Sequence, residues 1–166
     1  TIKIVYYGSL NFGWNNINIY YKYLHKTNYN KINFIFITQD YNKKYLSRLS
    51  SLKNVFIFSS YTLPNNLETN DILLASDYGL LLFEKNLDWY TRLSIKYAVY
   101  TSNGLPVIVN KWAGEASRLN KRLLNKSNLI INDSIPSDLK NTSDNEKAII
   151  SKWALNYFDS NNINYL

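Results

Sequence analysis

Six short runs of apolar residues, unbroken by the usual polar alternation, recur along this chain with a longer stretch between each pair. They are IKIVYY (Ile2 to Tyr7), INFIFIT (Ile32 to Thr38), NVFIF (Asn54 to Phe58), YGLLLF (Tyr78 to Phe83), PVIV (Pro106 to Val109) and NLII (Asn128 to Ile131). A strand that is apolar at successive positions needs cover on both faces, as strands inside a parallel sheet have. The intervening stretches predict helices over Trp14 to His25, Tyr41 to Ser51, Leu67 to Ala75, Ile95 to Asn103 and Ala113 to Leu124, and a last, longest one over Asp144 to Asp159. Strand and helix in alternation predict an α/β doubly wound parallel sheet of about six strands, with right-handed crossovers and helices on both faces.

At 166 residues, 46% of them hydrophobic, the chain is read as one globular domain spanning residues 1–166. The best candidate for a membrane span, Ile72 to Phe83, is interrupted by Asp77 and falls short of the ~20 apolar residues a spanning helix needs. The first residues do not read as a signal peptide, since Thr1 leads directly into a strand pattern, and cysteine is absent, so a cytoplasmic location is expected. The net charge of +7 favours an anionic partner, whether nucleic acid, a membrane surface or a phosphorylated small molecule. An AT-rich genome, whose codons favour Lys, Asn, Ile and Tyr, produces the same excess. The lysines are dispersed and no nucleic-acid-binding motif is present, so a nucleic-acid partner is not expected. Association with the inner face of a membrane and self-association both stay open.

In a doubly wound sheet, ligands bind outside the carboxyl ends of the strands, where the strand order reverses. The loops to inspect therefore read GSLNFGWNN, QDYNK, SSYTLPNN, EKNLDWYTRLS and NKWAGE. The first has Gly8 and Gly13 but neither a G-x-G-x-x-G nor a P-loop pattern; a glycine there lets backbone approach a phosphate closely, and an ordinary strand-to-helix turn reads the same way. The stretch SIKYAVYTSNGLPVIVN, Ser94 to Asn110, says more. Ser94 is a good N-cap, which places Lys96 on the first turn of a helix, where free amides and the positive dipole end favour an anion. Gly104 stops that helix and Pro106 opens the next strand. The single histidine, His25, falls late in the first helix and far from the rim, and is read as a surface residue.

SIKYAVYTSNGLPVIVN resembles the pattern P-x-K-x-x-x-Y-x-x-x-G-x-P-V-[IV] in the C-terminal half of GT-B glycosyltransferases. Lys96, Tyr100, Gly104, Pro106, Val107 and Ile108 fall on it at the right spacing. KIVYYGSL is similar to the first strand of that half, and NVFIFSSYTLPNNLETNDILLASDYGLLLF to its base-site loop and following segment. The final helix is similar to the one that packs back toward the N-terminal half. The nearest comparison is the bacterial group containing the glucosyltransferase of serine-rich adhesins and the β-1,6-galactofuranosyltransferase-like proteins.

The resemblance implies a Rossmann-like domain that binds a nucleotide sugar, with UDP-hexose as the expected donor and a glycan or glycoprotein as acceptor. It assigns the diphosphate to Lys96, supported by Ser94, Gly8, Ser9 and Arg92. It assigns the nucleobase and sugar to Tyr61, Thr62, Leu63, Tyr90, Thr91 and Tyr100. Metal-independent chemistry without a cofactor is expected, since no Asp-x-Asp motif occurs. The N-terminal GT-B domain, which carries the acceptor site and any catalytic base, is the implied partner, so the domain alone is expected to be inactive. Two departures stand out. Ser94 replaces the usual proline, and the paired glutamates of many retaining members would fall on Thr91 and Val99. The alternative class is a flavodoxin-like signalling or interaction domain, although YYGSLN lacks the acidic cluster such a receiver needs.

Overall fold

The computed structural model describes residues 1–12, 15–26, 30–39, 43–85 and 90–159. Six parallel strands form the sheet: β1 (Ile2–Tyr7), β4 (Ile32–Thr38), β5 (Val55–Ser59), β6 (Tyr78–Leu81), β7 (Val107–Asn110) and β8 (Ile130–Ile131), in the order β5-β4-β1-β6-β7-β8. Counted within the sheet this is 3-2-1-4-5-6, the doubly wound Rossmann order with its reversal between β1 and β6. The flavodoxin-like alternative has the order 2-1-3-4-5 and does not match. β7 lies inside the sheet, between β6 and β8.

Helices α1 (Ile17–Leu24) and α2 (Lys43–Ser50) cover one face, packing on Ile4, Tyr6, Phe34, Phe36, Leu80 and Ile108. On the other face Val5, Ile37, Leu81, Val107 and Val109 meet α3 (Thr69–Leu74), α4 (Ile95–Ser102), α5 (Glu115–Arg122) and α6 (Asp144–Phe158). Adjacent residues of one strand thus enter opposite cores, which is why the strand sequences do not alternate.

Several expected boundaries shift by one or two residues, the helix expected from Ala113 among them, which begins at Glu115 after a 3-10 turn over Lys111–Ala113; three further shifts change what a segment does. The first helix, expected from Trp14, begins at Ile17: Asn15–Asn16 (β3) pairs antiparallel with Asn11–Phe12 (β2), and Asn16 becomes the N-cap, accepting the Asn18 amide at 2.9 Å. Trp14 itself, like Gly13 and Tyr41, lies outside the described residues. The run NLII contributes only Ile130–Ile131 to the sheet, because Ser127–Leu129 forms a 3-10 turn. The run YGLLLF pairs only through Leu81, and Leu82 and Phe83 continue as buried backbone bonded to side chains instead.

The core is unusually rich in tyrosine, and its hydroxyls go to backbone that the ladder leaves unpaired. At the β1 exit the Tyr7 N–H donates to the Tyr100 hydroxyl at 2.8 Å, and the Tyr6 hydroxyl donates to the Ser9 carbonyl. At the β6 exit the Leu82 N–H donates to the Tyr20 hydroxyl at 3.5 Å. Strands diverge at the switch point, so these groups would otherwise be buried and unsatisfied, at a cost of about 1–3 kcal/mol each. At the opposite end of the sheet Asp77 is buried and accepts from the Lys3 amide (2.8 Å), the Asn141 side chain (3.1 Å) and the Thr142 amide (3.2 Å). These bonds tie the start of β6 to β1 and to the segment before α6.

Candidate functional site

In a doubly wound sheet the crevice forms at the carboxyl ends of the strands where their order reverses, here between β1 and β6, and the start of α4 lies at that end, with Lys96 against Gly8. Ser94 caps α4 with its hydroxyl accepting the Lys96 N–H at 3.3 Å, and its carbonyl accepts the Tyr97 N–H at 2.9 Å. Among the described residues no acceptor meets the Ile95 amide, which leaves one donor for a ligand at the positive end of the helix. The Ile95 side chain beside it is 82% exposed.

Lys96 leaves the second position of α4 and runs back over the end of β1. Gly8 makes this path available. A Cβ built there would overlap Lys96 Cε and stand 3.3 Å from Nζ, and the Gly8 φ of +131° is one that other residues rarely adopt. The ammonium group ends 5.9 Å from the centre of the buried Tyr6 ring. Among the described residues no carboxylate pairs with it. Burial pushes its pKa below the ordinary lysine value, because the charged form has lost part of its hydration. A half-buried cation with no carboxylate partner among the described residues, beside a helix N-terminus and at the carboxyl end of β1, can neutralise an oxyanion and gain stability in doing so.

Beneath it lie Tyr6, Tyr20 and Tyr100, all fully buried, with Tyr6 and Tyr20 at 4.7 Å between ring centroids. Burial raises the pKa of Tyr20 well above the ordinary tyrosine value, and the neighbouring Tyr6 and Tyr100 add to the shift. Burial raises Tyr100 likewise. Tyr20 and Tyr100 therefore stay neutral, and the three hydroxyls act as hydrogen-bonding struts at the two strand exits.

The expected site residues separate into groups. Gly8, Ser94 and Lys96 converge on the crevice, with Ser9 next to Gly8, but the Gly8 amide is already donated to Ile37 at 2.9 Å. Gly8 thus contributes room for Lys96 rather than a phosphate donor. Tyr100 is enclosed in the core and offers no surface to a base or sugar; its hydroxyl holds the β1 exit. Tyr61 (75% exposed) and Thr62 stand on the turn after β5, and Leu63 packs onto the core below. That turn is two strands from β1, about 10 Å at ordinary strand spacing, so a ligand touching both must be elongated. Tyr90 lies at the start of α5: a Cβ on Gly114 would strike the Tyr90 carbonyl, and Arg118 lies 5.7 Å from its ring. Thr91 and Arg92 are exposed on the same segment.

Some rim residues were not singled out by the sequence. Ser60, on the turn after β5, has a buried hydroxyl that meets no partner in the structure. It lies inside the loop SSYTLPNN, so its position on the rim was legible while its lack of a partner was not. Glu84 follows β6 and accepts from the Asn16 side chain at 3.3 Å, which puts a carboxylate at the N-terminus of α1. That leaves α4, with its lysine, as the anion-favouring helix end on this crevice. A polar cavity of about 420 Å³ opens elsewhere, lined by Tyr78, Lys126, Asp138, Lys140 and Glu146 at the amino end of the sheet, where Lys126 and Glu146 pair at 3.1 Å. Among the described residues there is no group of three His, Cys, Asp or Glu side chains able to hold a metal, and no helix long and apolar enough to cross a membrane.

No protein-family model matches this chain, and no curated protein sequence matches it.

Proposed function

We propose that this domain binds the diphosphate of a nucleotide sugar at the β1–β6 crevice, as the donor-binding half of a GT-B glycosyltransferase. The observation that carries the reading is Lys96: a partly desolvated cation, with no carboxylate partner among the described residues, laid over Gly8 at the N-terminus of α4. In a transfer reaction the leaving diphosphate gains negative charge as the glycosidic bond breaks, and a fixed cation with an aligned helix dipole favours that state over the bound substrate. The turn carrying Ser60, Tyr61 and Thr62 lies at the distance a nucleoside would reach from that diphosphate, and the unpartnered Ser60 hydroxyl suits a polar base edge. The acceptor and the catalytic base belong to the partner domain in this reading, and UDP is the expected nucleotide by resemblance.

Calorimetric titration with UDP, ADP, GDP and inorganic pyrophosphate tests it. Binding of at least one nucleoside diphosphate more tightly than pyrophosphate is expected, since the base adds contacts. Equal affinity for all four would remove the base subsite, and no binding to any of them would remove the reading.

A further inference from the structure

One strand over from the crevice, the exits of β6 and β7 are locked together by a buried amide. The Asn110 side chain accepts the Phe83 N–H at 3.2 Å and donates to the Phe83 carbonyl at 2.8 Å, while the Asn110 carbonyl accepts the Ser117 hydroxyl at 3.0 Å. Asn110 is wholly buried and Phe83 nearly so, so the chain leaves the two strands at fixed points. Immediately beyond stand Lys85 on one side and Lys111 and Trp112 on the other. Each lysine ammonium is 5.3 Å from the centre of the Trp112 ring, so the two cations are no further apart than twice that distance. Both lysines are exposed, and among the described residues neither meets a carboxylate. The described loops at this end of the sheet carry Lys85, Arg92 and Lys111, with Lys96 at the head of α4, alongside Glu84, Glu115 and Asp133, and Glu115 is paired with Arg118 at 2.8 Å.

We propose that Lys85 and Lys111, spaced by the Trp112 ring, form a second anion site that takes the carboxylate or phosphate of an acidic second substrate. Cation–π contact with the indole restrains two otherwise mobile side chains and lowers the entropy lost when an anion binds at the ring edge between them. The β6 exit feeds both sites, since Lys85 and α4 follow the same strand. A substrate anchored on Lys85 and Lys111 would therefore approach a donor held at Lys96 from the β7 side. That placement rests on the donor reading; the existence of the second anion site does not.

The test follows the Trp112 indole N–H by two-dimensional NMR, assigned with Trp112→Phe, during titration with glucuronate, glucose 6-phosphate and glucose. Both acids, or one of them, should shift the Trp112 signal in a saturable, salt-sensitive way, and neutral glucose should not; which acid acts distinguishes a carboxylate from a phosphate ligand. Lys85→Ala and Lys111→Ala should each weaken the response about two- to fivefold, as expected for exposed cations, and Lys96→Ala should leave it unchanged. The proposal is overturned if neither acid moves the signal, if glucose moves it equally, if it survives in the Lys85→Ala/Lys111→Ala double variant, or if Lys96→Ala abolishes it. Loss of nucleoside diphosphate binding with an intact Trp112 response would instead remove the donor reading and leave the second site standing.

Discussion

Lys96 and Gly8, 88 positions apart in the chain, occupy one space: the lysine side chain lies where any side chain at position 8 would have to be. The contact brings the end of β1 and the start of α4 to the same crevice. It also exposes the two residues to separate tests.

Lys96→Ala should weaken UDP binding about ten- to a hundredfold, the worth of one charge-assisted hydrogen bond of roughly 1.5–3 kcal/mol. Stability should hold or rise slightly, because a partly desolvated charge is removed with no partner left behind. Lys53→Ala is the control, an exposed lysine before β5 at the other end of the sheet. Calorimetry with both variants decides the matter: equal losses would mean that only net charge is being read.

Gly8→Ala attacks the same contact from the other side. The methyl group displaces Lys96, and the backbone is forced into a conformation that costs of order 1–3 kcal/mol for a residue with a side chain. Both the midpoint of thermal unfolding and UDP affinity should fall. In the double variant with Lys96→Ala the clash is relieved, so part of the lost stability should return while binding stays weak. Purely additive stability losses would argue against the contact.

Alkaline pH should weaken UDP binding earlier than an ordinary lysine would. Burial lowers the Lys96 pKa from its usual 10.5, so the ammonium form is lost at a lower pH in the free domain. A bound diphosphate favours that form and raises the pKa again, so binding between the two values takes up a proton. Affinity should therefore decline as pH rises through the lowered pKa, and binding enthalpy there should depend on the ionisation enthalpy of the buffer. In Lys96→Ala both effects should vanish. For the empty domain the sign is opposite: a depressed lysine destabilises the fold where it is charged, so this contribution eases as pH rises.

Asp77→Ala should destabilise the fold by about 2 kcal/mol or more, because the Lys3 and Thr142 amides lose their acceptor. Asp77→Asn keeps one acceptor oxygen and should cost less. Chemical denaturation measures both, and UDP affinity measured below the unfolding transition should be unchanged, since Asp77 lies at the far end of the sheet.

Layer order and element type were legible in the sequence because they follow from local pattern. Unbroken apolar runs demand cover on both faces, and Ser94 and Gly104 delimit α4 by chemistry that acts within a turn or two. The small hairpin before α1 was not legible, since Asn11–Phe12 and Asn15–Asn16 carry no alternation for a strand pattern to show. Lys96 could be placed on a first turn from sequence alone, where a lysine is ordinarily hydrated. Only the tertiary structure turns it inward, because the 3-2-1-4-5-6 order sets α4 beside the β1 exit and Gly8 leaves the space open. Tyr100 shows the converse. Its spacing from Lys96 matched a ligand-binding pattern, yet the sheet encloses it, and its hydroxyl serves the Tyr7 amide 93 positions away. Local chemistry determined which segments became strands, helices and caps, since those choices involve neighbours in the chain. Which side chains meet a ligand and which brace the strand exits was decided by strand order, because it joins residues that the sequence keeps far apart.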